Sequence, residues 1–185
     1  MTQTLTPILD WFKRQQWRPL TFQQQTWDAY LAGHSGLIQV PTGSGKTYAA
    51  TMGPIADMLA NPGKGMQLLY LTPLRALSRD IEKSIHRPIT DMGWPLQVES
   101  RTGDTKASQR ARQKKKLPEV LITTPESLSV LLSYKGAVQR FGNLRAVILD
   151  EWHELMSSKR GTQTELCLAQ LRLLQPSLKT WAISA

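Results

Sequence analysis

Several short runs in this chain are apolar at every position and lack the alternation of apolar and polar residues that a half-exposed strand shows. Residues 68–71 (Leu-Leu-Tyr-Leu) and 147–149 (Val-Ile-Leu) are examples. This pattern is typical of strands that helices cover on both faces, as in a parallel sheet. With the shorter runs included, we predict six strands, at residues 37–40, 67–71, 96–98, 120–123, 146–149 and 181–184.

Segments of helical periodicity separate these runs. We predict helices at residues 23–31, 46–60, 74–85, 106–116, 126–132 and 162–174, within a chain whose first segment, 1–35, is also helical in character. Such alternation predicts an α/β fold in three layers, with a mainly parallel sheet between two layers of helices. A length of 185 residues suits one domain of this kind, and a hydrophobic content of 41% suffices for its core.

Charge and cysteine content narrow the class of protein. Lys and Arg outnumber Asp and Glu by 23 to 14, which gives a formal net charge of +9 and favours a polyanionic partner such as nucleic acid. Because Cys167 is the only cysteine, an intramolecular disulfide and a cysteine-built zinc site are excluded, and a cytoplasmic location is expected. No apolar run approaches the roughly 18 residues of a membrane span, so we expect no membrane partner.

The segment from Leu37 to Thr47 carries the most informative motif. A predicted strand leads into a turn that contains Gly43 and Gly45, and a predicted helix then begins with Lys46 and Thr47. Glycines let the backbone approach phosphate oxygens, and the N–H groups at a helix start attract anions. Lys46 is placed to reach the β- and γ-phosphates of a nucleotide, and the Thr47 hydroxyl to ligate Mg²⁺. The general motif begins with a glycine where this chain has Val40, and the alternative is a flexible loop before a helix.

A pair of carboxylates follows the predicted strand at residues 146–149. Ligands of open α/β sheets bind at the carboxyl ends of the strands, so Asp150 and Glu151 are expected to share one sheet edge with the phosphate loop. Asp150 suits Mg²⁺ binding, usually through water, and Glu151 suits removal of a proton from the attacking water. The alternative is an acidic helix start with Asp150 as the N-cap.

These motifs together resemble a superfamily 2 helicase of the DExH type. Residues 40–47 and 150–153 are similar to its motifs I and II, and these helicases commonly lack the first glycine. The remaining similarities follow in order: residues 72–77 to motif Ia, 101–104 to the glycine motif, 123–128 to motif Ib, and 184–185 to the start of motif III. The amino-acid sequences of residues 150–155 and 159–161 resemble those of the large helicase-related family, in particular its ligase-associated bacterial branch.

The resemblance implies a role for each matching residue. The nucleotide site would consist of Gln23 on the adenine edge, in a segment similar to the Q motif, and of Thr42, Gly43, Ser44, Gly45, Lys46 and Thr47, with ATP and Mg²⁺ as cofactors. Gln24 and Gln25 leave the register of the adenine contact open. His153 would couple this site to Ser184. The nucleic-acid path would contain Thr72, Arg75, Gly103, Thr124 and Pro125, with contacts mainly to the sugar–phosphate backbone.

The resemblance also implies what this chain does within a larger protein. Residues 1–185 would form the first RecA-like, ATP-binding domain of an ATP-dependent helicase, and the second RecA-like domain would be absent from this chain. Its partners would be single-stranded or partly duplex nucleic acid, with DNA favoured, and repair proteins such as a ligase. The alternatives are an RNA helicase or other superfamily 2 translocase, a non-motor P-loop NTPase, and a catalytically silent nucleic-acid-binding module.

A basic run lies outside these motifs. Lys114, Lys115 and Lys116 follow Arg110 and Arg112 on one predicted helix. We interpret this run as a solvated helix face, and the alternative is direct contact with nucleic acid.

Overall fold

The structure is a computed structural model that describes residues 2–157 and 159–185. Met1, with which the predicted domain begins, and Ser158 lie outside the described residues. The strands are β1 Gly36–Gln39, β2 Leu68–Leu71, β3 Val98–Arg101, β4 Val120–Thr123, β5 Ala146–Leu149 and β6 Lys179–Ser184. The helices are α1 Thr2–Arg14, α2 Thr21–Leu31, α3 Lys46–Ala60, α4 Arg75–Met92, α5 Ala107–Lys115, α6 Pro125–Ser133, α7 Ala137–Phe141, α8 Trp152–Met156 and α9 Lys159–Leu174. No helix in this part of the chain is long and apolar enough to cross a membrane.

The strands form one sheet in the order β1-β6-β5-β2-β4-β3. Every neighbouring pair is parallel, which confirms the predicted sheet type. β2 lies between β4 and β5, so Leu68 pairs with Val120 on one side and Ala146 on the other. Because parallel strands end at the same edge, the loops that follow β1, β2, β3, β4 and β5 gather there.

The side chains of the strands pack into two apolar cores, one on each face of the sheet. Leu68 and Tyr70 of β2 point into a core with Met52 of α3. Leu69, in contrast, belongs to the opposite core, which includes Leu171 of α9. This arrangement confirms the three-layer α/β fold and explains why β2, β4 and β5 are apolar at almost every position.

β3 was predicted at residues 96–98 but occupies Val98–Arg101. The prediction followed apolar residues, whereas the pairing with β4 places Glu99 and Ser100 inside the strand. β3 is an edge strand, so these polar residues reach helix α5 instead of a second strand: the Glu99 carboxylate accepts a hydrogen bond from Gln113 at 2.8 Å. Hydrophobic patterning does not detect a strand of this kind.

The N-terminal segment is anchored to the end of α4. This helix was predicted at residues 74–85, but it continues through Pro88 to Met92, and Gly93, with φ of 64°, ends it. The extra turns carry Asp91, whose carboxylate accepts a hydrogen bond from the Trp11 indole of α1 at 2.9 Å. Trp11 also packs edge-to-face on Tyr48, with ring centroids 5.2 Å apart. Helix α1 therefore packs against the first turns of α3, next to the phosphate loop.

Helix α9 offers a direct test of the core on its face of the sheet. Leu171 is 0% exposed and Leu173, two residues later, is 83% exposed. We expect Leu171→Ala to lower the free energy of unfolding by about 2–5 kcal/mol, since it removes buried contacts and leaves a cavity. The matched control Leu173→Ala should change it by less than about 0.5 kcal/mol. Urea unfolding followed by circular dichroism measures both, and equal losses would contradict the packing of α9.

Candidate functional site

The loop between β1 and α3 is shaped by two glycines. Gly43 has φ of 81° and Gly45 has φ of 86°, a left-handed conformation that other residues adopt only with strain. The Ser44 hydroxyl donates a 2.6 Å hydrogen bond to the Pro41 carbonyl and closes the turn. Thr42 and Gly43 are exposed at its tip. The loop therefore presents its backbone and the start of α3 to solvent, as an anion site requires.

Gln23 of α2 is hydrogen-bonded to the backbone of this loop. Its amide nitrogen donates to the Gly45 carbonyl at 3.1 Å, and its amide oxygen accepts from the Leu20 N–H at 2.9 Å. A Cβ atom at Gly45 would lie 2.7 Å from the same amide nitrogen. Gln23 is buried, whereas Gln24 and Gln25 are exposed. Of the three glutamines, Gln23 is thus the one in contact with the phosphate loop, and its amide keeps one N–H and one lone pair for a further partner.

The Lys46 side chain is buried at the mouth of the loop. Its Nζ lies 3.9 Å from Glu151 Oε1, which is too far for a hydrogen bond. Among the described residues, this ammonium has no hydrogen-bond partner. A buried charge without hydrogen bonds is costly, so this position fits an anion, such as a phosphate, close to the loop.

Glu151 connects Lys46 to the end of β6. The Glu151 carboxylate lies 3.8 Å from His153 Nε2, and His153 Nδ1 lies 3.3 Å from the Ser184 hydroxyl. Glu151 itself has φ of 46° and ψ of 52°, a left-handed conformation that is rare outside glycine. It, and not Asp150, is the N-cap residue of α8. The structure thus brings together the four residues Lys46, Glu151, His153 and Ser184, which come from three separate segments.

Asp150 is held by a tyrosine that the sequence reasoning missed. Tyr70 is almost fully buried on β2, and its hydroxyl interacts with the side chains of Asp150 and Thr47. Burial raises the pKa of the Asp150 carboxyl, and the hydrogen bond from Tyr70 opposes that rise. Within the apolar run at residues 68–71, only the hydroxyl of Tyr70 could have signalled this role.

A divalent metal would find two protein oxygens here. The side chains of Thr47 and Asp150 both interact with the Tyr70 hydroxyl, and no group of three or more His, Cys, Asp or Glu residues in the described ranges could hold a metal ion. Mg²⁺ is usually bound through one or two carboxylates plus water and substrate phosphates. The residues present therefore fit Mg²⁺ that arrives with a nucleotide.

The predicted nucleic-acid residues lie at the ends of β2, β3 and β4. Arg75 and Gly103 are exposed and in contact: a Cβ atom at Gly103 would lie 2.8 Å from the Arg75 guanidinium. Thr72, Thr124 and Pro125 are buried, and the Thr124 hydroxyl caps α6 by accepting from the Ser127 N–H at 3.4 Å. Arg75 and Gly103 are thus accessible from solvent, with Arg75 paired to Asp104 at 3.6 Å, while the other three side chains support the loops around them.

Two further arginines, which have no individual role assigned from the sequence, shape this edge. Arg160 of α9 donates to the Pro73 carbonyl at 2.8 Å and pairs with Glu126 at 2.7 Å, so it joins the loops after β2 and β4. Arg110 of α5 donates to the Gly103 carbonyl. The basic residues of this run are all exposed, as a solvated face requires, and two of them, Arg110 and Lys114, also line a cavity.

Comparisons with known proteins agree with this geometry. Residues 20–185 match the family model of the DEAD/DEAH box helicases. The chain is 37% identical over 190 residues to the Lhr helicase/probable uracil glycosylase of Mycolicibacterium smegmatis, which covers 95% of this chain and 12% of that protein. It is 34% identical over 198 residues to the ATP-dependent helicase Lhr-Core of Methanothermobacter thermautotrophicus, which covers 96% of this chain and 22% of the relative. The predicted resemblance to the large helicase-related family is confirmed, for a chain that spans less than a quarter of these relatives.

A solved structure extends the likeness to three dimensions. The Mycobacterium smegmatis helicase Lhr bound to ssDNA and AMP-PNP superimposes with a TM-score of 0.86 at 37% identity, over 95% of this chain and 24% of that one. The DUF1998 helicase MrfA, at 23% identity and a TM-score of 0.83, shares the fold.

The left-handed backbone of Glu151 makes a prediction about stability. Left-handed geometry costs a non-glycine residue about 1–2 kcal/mol. We therefore expect Glu151→Gly to unfold at higher urea concentration than Glu151→Gln, by a free energy of about 1 kcal/mol. Both variants lose the carboxylate, so the difference isolates the backbone. A Glu151→Gly variant that is no more stable than Glu151→Gln would show that this conformation carries no strain.

Proposed function

Because the chain belongs to the DEAD/DEAH box helicase family, we propose that it is the first RecA-like domain of an ATP-dependent helicase that moves along a nucleic-acid strand. The observation that carries the proposal is the buried ammonium of Lys46, which lies within 3.9 Å of Glu151 and has no hydrogen-bond partner among the described residues. Use of ATP is a property of this family, and the placement of Lys46 explains where the phosphates would bind.

The nucleotide would be bound by side chains from two helices and the loop between β1 and α3. Thr42, Gly43, Ser44 and Gly45 would surround the phosphates with backbone N–H groups, and Lys46 would neutralise their charge. Gln23 would contact the adenine with the free capacity of its amide. Because the same amide donates to the Gly45 carbonyl, binding of adenine to Gln23 would directly affect the position of the phosphate loop.

Hydrolysis would depend on the two carboxylates. Thr47 and Asp150 would hold Mg²⁺, which neutralises phosphate charge when it is bound. Glu151 would accept the proton of the attacking water, since its carboxylate is half-buried and lies between Lys46 and His153. The contact of His153 with Ser184 would link the nucleotide site to the end of β6, so that a change at one would move the other.

The strand would cross the loops after β2, β3 and β4, where Arg75 and Gly103 are exposed. DNA is the favoured strand because the Lhr structure with 37% identity is bound to ssDNA. RNA is the second candidate, since an ATP-dependent RNA helicase, mss116 of Aspergillus oryzae, is 32% identical over 127 residues. The narrower form of the proposal is a cytoplasmic role in DNA repair together with a ligase. It rests on the amino-acid sequence of residues 150–155.

Complete activity would require a second RecA-like domain. The Lhr relatives are several times longer than this chain, so they have room for it. Such a domain would supply arginines to the nucleotide, and an arginine finger is worth roughly 10³–10⁵ in the rate of phosphoryl transfer. ATPase activity of the full-length protein that rises with single-stranded nucleic acid would separate a motor from a silent binding module or a non-motor NTPase.

Removal of Lys46 tests the nucleotide site. Lys46→Ala should weaken Mg²⁺-ATP binding about ten- to a hundredfold, because a charge-assisted phosphate contact is lost. It should not lower the free energy of unfolding, because the ammonium makes no hydrogen bond in the described structure. Isothermal titration calorimetry measures the affinity, and Lys64→Ala, at an exposed lysine, is the matched control. Equal ATP affinity for the two variants would refute the assignment.

Base choice tests Gln23. We expect Gln23→Ala to reduce the preference for ATP over GTP, because the amide that faces the loop is removed. Gln24→Ala, one residue away and exposed, should retain the preference. Competition between ATP and GTP for a fluorescent nucleotide measures it. A preference lost in Gln24→Ala and kept in Gln23→Ala would place the adenine contact elsewhere.

A further inference from the structure

A cavity of about 330 Å³ lies beside the exposed pair of Arg75 and Gly103. Its other walls come from the end of β3 and from helices α5 and α6, and they include Arg101, Arg110, Lys114 and Tyr134. We call it the Tyr134 pocket. None of these last four residues belongs to the nucleotide site or to the residues that the resemblance places on the nucleic-acid path, and Arg110 and Lys114 belong to the basic run for which nucleic-acid contact was the alternative.

Three cations surround the ring of Tyr134. The ring centroid lies 5.0 Å from Lys114 Nζ, 5.6 Å from the Arg140 guanidinium carbon and 5.9 Å from that of Arg101. These residues come from α5, α7 and β3, so the fold and not local sequence assembles them. Each distance is within the range of a cation–π contact. Tyr134 thereby keeps three mutually repelling charges around one point.

Of the cations that line the Tyr134 pocket, Arg75 has a counter-charge, because its guanidinium lies 3.6 Å from the Asp104 carboxylate. In residues 2–157 and 159–185, no carboxylate forms an ion pair with Arg101, Arg110, Lys114 or Arg140. Glu126, which also lines the pocket, is paired with Arg160.

Arg101 in the pocket and Arg140, which contacts the Tyr134 ring from outside the lining, also have few hydrogen bonds. Arg101 is 5% exposed, and within the described part of the chain its guanidinium donates only long hydrogen bonds, 3.4 Å each, to the Arg110 carbonyl and the Tyr134 hydroxyl. Burial lowers its pKa, and the charges of Arg110 and Arg140 lower it further. Arg140 Nη1 is buried without a hydrogen-bond partner in the described part of the chain. Mutual repulsion and desolvation oppose such a cluster unless an anion completes it.

We propose that the Tyr134 pocket binds one phosphodiester group of a nucleic-acid strand, as a subsite beyond Arg75 and Gly103. The proposal rests on the proposed nucleic-acid function and adds residues to its path. A polymer is favoured over free phosphate because the pocket shares Arg75 and Gly103 with the predicted path. Its volume lies at the small end of ligand sites, about 300–1,000 Å³, which suits a single nucleotide unit.

A matched pair on α5 tests the subsite. Both lysines are exposed, but Lys114 lines the pocket and Lys115, next to it in sequence, does not. Both Lys114→Gln and Lys115→Gln remove one positive charge, so general attraction to a strand changes equally. We expect Lys114→Gln to weaken binding of a fluorescein-labelled oligo-dT about tenfold at low salt, as loss of a charge-assisted contact does. The slope of log K against log salt should fall by about 0.7. Lys115→Gln should change affinity less than about twofold, because an exposed charge outside the pocket contributes little.

A second variant removes the organising ring without changing the charge. Tyr134→Leu should also weaken oligo-dT binding, because the three cations lose their common support. Its urea midpoint identifies any general loss of folding. An oligo-dT series with one neutral methylphosphonate linkage at each position locates the phosphate, since the Lys114→Gln penalty should vanish at a single position.

The outcomes separate the subsite from the wider function. Equal effects of Lys114→Gln and Lys115→Gln, with strand binding intact in the unmodified chain, would overturn the subsite alone. An unmodified chain that binds no strand would overturn both proposals. If Lys114→Gln weakened binding of ATP or inorganic phosphate and left the oligo-dT affinity unchanged, the pocket would be a site for free phosphates, and the subsite would be wrong.

Discussion

The candidate nucleotide site depends on an ammonium group that the fold buries without a hydrogen-bond partner. Lys46 begins α3 immediately after Gly45, and Glu151 lies 3.9 Å from its Nζ. Burial of a charge without hydrogen bonds opposes folding, as does the left-handed backbone of Glu151. Two apolar cores, one on each face of a parallel sheet, offset these costs. An anion at the loop would relieve the first of them, so the same arrangement that costs stability provides affinity for phosphate.

Much of this architecture could be predicted from local sequence. The runs of β2, β4 and β5 are apolar at almost every position because helices cover both faces of a parallel sheet, and the sequence shows this pattern directly. The phosphate loop and the carboxylate pair are also contiguous, so their residue types and spacing are visible without a structure. Their meeting at one sheet edge then follows from strand direction alone. The sequence left the choice among three adjacent glutamines open, and burial of Gln23 against Gly45 identifies the one in contact with the loop.

What the sequence did not predict is convergence in space. Tyr70 lies within an apolar run, so its interaction with Asp150 and Thr47 has no local signature. β3 is polar because it is an edge strand whose side chains bond to α5. Arg160 joins Pro73 to Glu126 across a long stretch of chain. The Tyr134 pocket combines residues from three helices and a strand end, and a basic run on one helix gave no reason to separate Lys114 from Lys115.

The strand order also explains how one domain could serve the two proposed ligands. β2 is central and contributes to both proposed sites: Tyr70 interacts with Asp150 near the phosphate loop, while Thr72, two residues later, leads to α4, which begins at Arg75. β4 and β5 pair with β2 on its two sides. Two backbone hydrogen bonds extend this pairing beyond the strand end: the Asp150 N–H donates to the Leu71 carbonyl at 2.8 Å, and the Thr72 N–H donates to the Thr123 carbonyl at 3.0 Å. A closely packed strand of this kind resists bending. In the proposed function, communication between nucleotide and strand would therefore involve the loops after the strands, where Glu151, His153 and Arg75 are exposed or half-buried, and not deformation of the sheet.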